Sequence, residues 1–157
     1  MKPKVFIAHG GFPKSLAKLC DFLEALGVEP ILAEVKPSEG RCVEPQVDTC
    51  MNQSDCAIVF ATDGHSVDKN TGRKHPRLNV ADELVRCRIK FPNKTILLLQ
   101  KGVELSSNES GVIYEHFTPQ NMDRAFIKVA KELRAFGIIK VAGEETVENT
   151  RGIIHCW

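Results

Sequence analysis

At 157 residues the chain is long enough to build one hydrophobic core without disulfides or metal, and its 43% hydrophobic and 26% charged fractions suit a soluble globular domain. A net charge of +1 excludes nucleic-acid binding through a broad basic face, which needs a clear surplus of Lys and Arg. No run approaches a membrane span, and the apolar stretch in MKPKVFIAHGG is too brief for a signal sequence, so a cytoplasmic location is expected.

Lys4 to His9 is a short apolar run ending at Gly10-Gly11, which reads as a buried strand entering a tight turn. Leu16, Leu19, Cys20, Leu23 and Leu26 then recur at helical spacing and stop at Gly27, a good C-cap. Val28 to Val35 is a second strand, placed at an edge because Pro30 has no N–H for a ladder. A polar loop, Lys36 to Arg41, leads to a short helix around Val43 to Met51.

Cys56 to Thr62 is the clearest central strand, β-branched and apolar, ending at Asp63-Gly64. The polar segment Asp63 to Arg77 has no periodicity and reads as a long loop. His75 to Phe91 follows as a helix, with Val80, Leu84, Cys87 and Phe91 on one side and Pro76 near its start. Lys94 to Gln100 is a fourth strand and Gly111 to Phe117 a shorter fifth. A last helix begins at Thr118-Pro119, carries Met122, Phe126, Val129, Ala130, Leu133 and Phe136 on one face, and closes at Gly137. Residues 138–157 are expected to form a C-terminal extension of the domain spanning 1–137.

Strands alternating with helices predict an α/β fold, a flavodoxin-like three-layer sandwich around a five-stranded parallel sheet in the order 2-1-3-4-5. Ligands of such sheets bind at the carboxyl ends of the strands, where the order reverses between the first and third. Those ends are His9-Gly10-Gly11 and Thr62-Asp63-Gly64. The helix from His75 starts at the same rim, with Asn79 and Glu83 one turn apart on one side.

Each of these residues has a plain reading beside a functional one. Glu83 is either a solvated partner of Arg86 at i+3 or a carboxylate aimed at a ligand. Gly10 and Gly11 make either an ordinary strand-to-helix turn or a close approach to phosphate at a helix start. Arg41 is either a solvated loop residue or a bidentate anion clamp.

Other classes lack their motifs. There is no GxGxxG, no Walker loop and no GxSxG. His9, His65, His75, His116 and His155 show no ligand spacing, so no metal is expected. The six cysteines, at 20, 42, 50, 56, 87 and 156, form no CxxC pair and read as reduced thiols.

KVFIAHGG, LGVEPILAE, PSEGR, CAIVFATDG and RLNVADELV, in that order, together resemble the bacterial and archaeal TIR-like domains known as predicted nucleotide-binding. These are relatives of the Toll/interleukin receptor domain. The resemblance runs from about Lys4 to Gly137, and KGVELSSNESGVIYEHF continues it between the fourth and fifth strands. It implies a flavodoxin-like fold and cleavage of NAD at the nicotinamide-ribose bond, with NAD as substrate and no further cofactor. It also implies that Glu83, in Asn79-Val80-x-x-Glu83-Leu84, is the essential acidic residue. Pro37 to Arg41 matches the loop that in relatives borders the site and mediates self-assembly, so a homo-oligomer is expected. The substrate-binding set is then His9, Gly10, Gly11, Arg41, Asp63 and Asn79.

Two positions depart from the family pattern: Asp82 stands where relatives carry an aromatic, and Val85 where they carry glycine. A non-catalytic nucleotide-binding or assembly module therefore stands beside the glycohydrolase or cyclase reading. Nucleoside deoxyribosyl transfer, which also uses a carboxylate on such a sheet, is a third.

Overall fold

The computed structural model describes residues 1–33, 44–67, 70, 74–76, 78–104 and 113–140. In chain order its elements are β1 (Lys4–His9), α1 (Lys14–Ala25), β2 (Glu29–Leu32), α2 (Glu44–Asn52), β3 (Cys56–Ala61) and β4 (Asp63–Val67). They continue with β5 (Lys74–Pro76), α3 (Leu78–Lys90), β6 (Thr95–Gln100), β7 (Ile113–Phe117) and α4 (Asp123–Ala135). Among the described residues the main sheet has five strands in the order β2-β1-β3-β6-β7, every pair parallel. Numbered by themselves, those strands run 2-1-3-4-5, the expected flavodoxin-like order.

Alternation along each strand sorts the core into two layers. Val5, Ile7, Cys56, Ile58, Phe60, Ile96, Leu98 and Phe117 face Leu16, Leu19 and Leu23 of α1 and Ala125, Val129 and Leu133 of α4. Phe6, Ala8, Ala57, Val59, Ala61, Leu97 and Leu99 face Val47 and Met51 of α2, Leu84 and Cys87 of α3, and Phe91 just past it. Stacked rings tie the first layer together, Phe60 on Phe117 at 4.6 Å and Phe22 on Phe126 at 4.5 Å. β3 is buried along its whole length, as its apolar run requires. β2 pairs with β1 alone among the described strands, which places Pro30 at an edge.

Two helices end in the same device. Gly27 (φ +78°) and Gly137 (φ +74°) take the left-handed conformation just past α1 and α4. Val28 N–H then reaches the Leu23 carbonyl at 3.0 Å, and Ile138 N–H reaches that of Leu133 at 2.9 Å, the closing bond of a Schellman cap. α3 ends differently. The buried Thr95 hydroxyl at the start of β6 lies 3.1 Å from the carbonyls of both Cys87 and Phe91. Both carbonyls also accept a backbone N–H, Cys87 from Phe91 at 2.8 Å and Phe91 from Lys94 at 3.0 Å. Thr95→Val therefore removes a hydroxyl bond without orphaning either and should cost about 0.5–1.5 kcal/mol, read as a fall in the urea midpoint. An unchanged midpoint would mean that the backbone bonds alone hold this end of α3.

Three expectations need correction. The segment after β3 is not a continuous loop, because β4 and β5 pair as an antiparallel ladder with Asp63 opposite Pro76 and Val67 opposite Lys74. α3 begins at Leu78, so His75 and Pro76 belong to β5. Proline biases its preceding residue to extended backbone, and that bias extends the strand rather than opening the helix. α4 begins at Asp123, not at Thr118-Pro119. There Thr118 and Asn121 exchange backbone bonds of 3.1 Å and Asn121 N–H also reaches Thr118 Oγ1 at 3.0 Å, a side-chain turn that outcompetes the helix. The loop from Lys36 to Arg41 and the extension beyond residue 140 lie outside the described residues.

Candidate functional site

α3 lies against β3 and β1, the two strands between which the order reverses. It returns from the end of β3 to the start of β6, antiparallel to the strands, so its first turns stand at their carboxyl rim. Leu84 and Cys87 drop from α3 into the second core layer and fix its rotation. Glu83, beside Leu84, is consequently half-buried, while Asp82 on its other side is exposed.

Burial raises the Glu83 pKa from 4.5 to about 7; the Arg86 charge pulls it down and the Asp82 charge adds a little to the rise. A carboxylate dominated by an ion pair would be held low, so the plain surface-pair reading loses ground. The same carboxylate is felt one turn on, at Cys87, where burial chiefly, and the Glu83 charge after it, push the thiol up to about 12. Cys56 is also pushed up to about 12, again mainly by burial. Both thiols stay protonated and inert at neutral pH.

His9 closes β1. Its Nδ1 is 2.7 Å from the Gly11 carbonyl oxygen, and since a carbonyl only accepts, Nδ1 carries the proton and Nε2 is left as an acceptor. Burial lowers the His9 pKa, with the Gly11 bond opposing, which favours the neutral ring. Phe12 meets it edge-on at 6.2 Å. Gly10 and Gly11 form the bend between β1 and α1, whose N-cap is Pro13 with no side-chain cap. Asp63 opens β4 one residue past the end of β3, and its N–H donates to Gln100 Oε1 at 3.2 Å across the ends of β3 and β6.

The expected residues therefore meet only in part. Alternation puts Phe6 and Ala8 on the α3 face and Val5 and Ile7 on the other, so His9 leaves β1 on the face opposite Glu83. The two flank one rim from its two sides. Asn79 lies in the first turn of α3, but its side chain, like all of Arg41, is outside the described residues. No cluster of three or more His, Cys, Asp or Glu suited to a metal occurs among the described residues. None of their helices is long and apolar enough to cross a membrane.

A pocket of about 700 Å³ opens farther along the same rim, where the ends of β6 and β7 meet the turn into α4. Sequence reasoning missed it, because its walls come from residues 101–124 and no spacing rule joins them.

A family model for the CAP12/Pycsar effector protein, TIR domain, matches residues 4–119. The chain belongs to this TIR family. The match covers the strands, the candidate rim and α3. Among curated proteins, the uncharacterized protein YuaY of Escherichia coli strain K12 is 29% identical to this TIR domain over 115 residues. That alignment takes in 71% of this chain and 38% of the relative, so the chain spans well under half the relative's length. Among solved structures, the CMP N-glycosidase BcmB of Clostridium botulinum superposes with a TM-score of 0.49 and 19% identity, covering 82% of this chain and 98% of that one.

Proposed function

We propose that this TIR domain cleaves the N-glycosidic bond of a nucleotide, with NAD as substrate and Glu83 as the catalytic carboxylate. The observation that supports it most is the state of Glu83: half-buried, at the carboxyl rim beside the order reversal, with its proton affinity raised to neutrality. Perturbed carboxylates in such places mark functional sites more often than solvated pairs do.

The chemistry asks little beyond one anion. The bond between the ribose anomeric carbon and the pyridinium nitrogen breaks, and its electron pair leaves with nicotinamide as a neutral base. Positive charge spreads over the anomeric carbon and ring oxygen, and a carboxylate fixed beside them stabilises it. Water adds to that carbon and loses a proton, giving ADP-ribose; attack from within the adenine ring would give the cyclic product instead. Glu83 serves in its ionised form, which requires pH near or above its raised pKa. Neutral His9, with Nε2 as acceptor, is suited to a ribose hydroxyl or to the nicotinamide amide.

The test is product analysis by chromatography after incubating concentrated protein with NAD, NADP and nucleoside monophosphates in separate reactions. Release of nicotinamide with linear or cyclic ADP-ribose is expected. Binding of these nucleotides without any base release, under every assembly condition, would instead favour the non-catalytic module.

One observation speaks for assembly as part of the function. Val85 and Ile89, 54% and 77% exposed, sit one turn apart on the outer side of α3, an apolar pair with reason to be covered. Ile89→Asp is expected to leave the thermal midpoint within about 2 °C of the parent, as exposed sites do, while removing any rise of specific activity with protein concentration. Retention of that rise would show that α3 is not the contact.

A further inference from the structure

The pocket beyond β6 and β7 lies two strands from β3 in the sheet order and takes no part in the chemistry assigned to Glu83. We propose that it is a second ligand site, shaped for a nucleoside monophosphate. Its volume of about 700 Å³ is within the range of small-ligand sites.

The walls bring together the groups such a ligand needs. Lys101, just past β6, and Arg124, in the first turn of α4, supply two cations. Neither pairs with a carboxylate among the described residues. An Arg fork and a Lys together match a phosphate. Tyr114 and His116 stand two residues apart on one face of β7, their rings edge to face at 5.5 Å. Tyr114 is 56% exposed, which leaves its ring accessible to a stacking base. Glu115 is the one carboxylate among the described lining residues. Its Oε1 accepts the His116 N–H at 3.1 Å, and two cations against one anion leave the lining net positive.

The frame is already built. Lys101 N–H bonds the Phe117 carbonyl at 2.8 Å and ties the end of β6 to that of β7. Thr118 and Asn121 lock the floor through their mutual bonds, and Asn121 Oδ1 takes the Asp123 N–H at 3.2 Å, fixing the start of α4 beneath Arg124. A ligand arriving here has little backbone to order.

AMP is the probe, titrated into the full chain and followed by amide NMR shifts, with adenosine and inorganic phosphate titrated separately. Saturating shifts at Gly102, Thr118 and Asn121 are expected, with AMP at least tenfold tighter than either fragment. K101Q/R124Q should weaken AMP at least tenfold with an unchanged thermal midpoint, and Tyr114→Ala should bring AMP down to the affinity of phosphate. Glu83→Gln should leave the titration as it was, so loss of the proposed catalysis and loss of this site are read separately. The proposal is overturned if shifts do not saturate by about 10 mM, if they fall only around His9 and Glu83, or if adenosine and AMP bind alike. It is equally overturned if the double variant keeps its AMP affinity and changes only self-association, which would make the pocket an interface between copies.

Discussion

Glu83→Gln is expected to lower nucleotide cleavage by at least about 100-fold, the scale for removing one preorganised charge partner of a developing ion, while nucleotide binding changes little. Glutamine keeps the shape and burial of the side chain and removes only the negative charge that opposes the oxocarbenium ion. The parent protein should show a matching pH profile. With a Glu83 pKa of about 7, kcat/KM rises through neutrality and levels off above it, because the ionised form acts. Arg86→Gln removes the cation that favours ionisation, so the rising limb should move to higher pH. The assay is nicotinamide release across pH 5 to 9. A Glu83→Gln protein that retains parental rates would remove this residue from the chemistry.

The same substitution should stabilise the fold. The Glu83 pKa lies above its unfolded value near 4.5, so the folded protein holds that proton more tightly than the unfolded chain does. The stability contributed by the group is fully present below about pH 4.5 and lost as pH rises through 7. At pH 8 the parent keeps a partly buried charge whose cost, discounted for its partial exposure, is about 1–2 kcal/mol. Glu83→Gln removes that cost, and its thermal midpoint at pH 8 should exceed the parent's by roughly 2–6 °C. At pH 4 the two midpoints should converge. A variant less stable than the parent at pH 8 would mean that the carboxylate is satisfied by partners in the fold. A residue that destabilises its own scaffold at working pH suits a charge kept for a substrate.

Most of the sheet was legible in the sequence for a simple reason. Runs such as CAIVFA and TILLLQ are buried on both faces, so their apolar character survives tertiary context. The stripe of Leu84, Cys87 and Phe91 located α3 and set Glu83 at its margin. Its proton affinity was not legible, since that depends on how deeply neighbouring elements bury the carboxylate. The hairpin of β4 and β5 escaped because DGHSV and KHP lack both alternation and β-branched density, and backbone pairing across the chain defines them. His9 was found as a strand-end residue. Its exit on the face away from α3 follows from counting alternate residues along β1, a step that needs the face of each neighbour. The pocket past β7 depends on a turn and a sheet edge that bring distant residues together.

That hairpin has a consequence for how the chain tolerates change. Asp63 and Pro76 are direct partners across its ladder, so the insertion begins and ends at nearly one point, and β3 and α3 are joined across a gap that a short turn would bridge. Such a closed excursion is separable in evolution. Its length and sequence can drift, or be exchanged for another's, without moving either element it interrupts. The domain thus carries an excursion between β3 and α3 whose length can change while the core on either side of it stays in place.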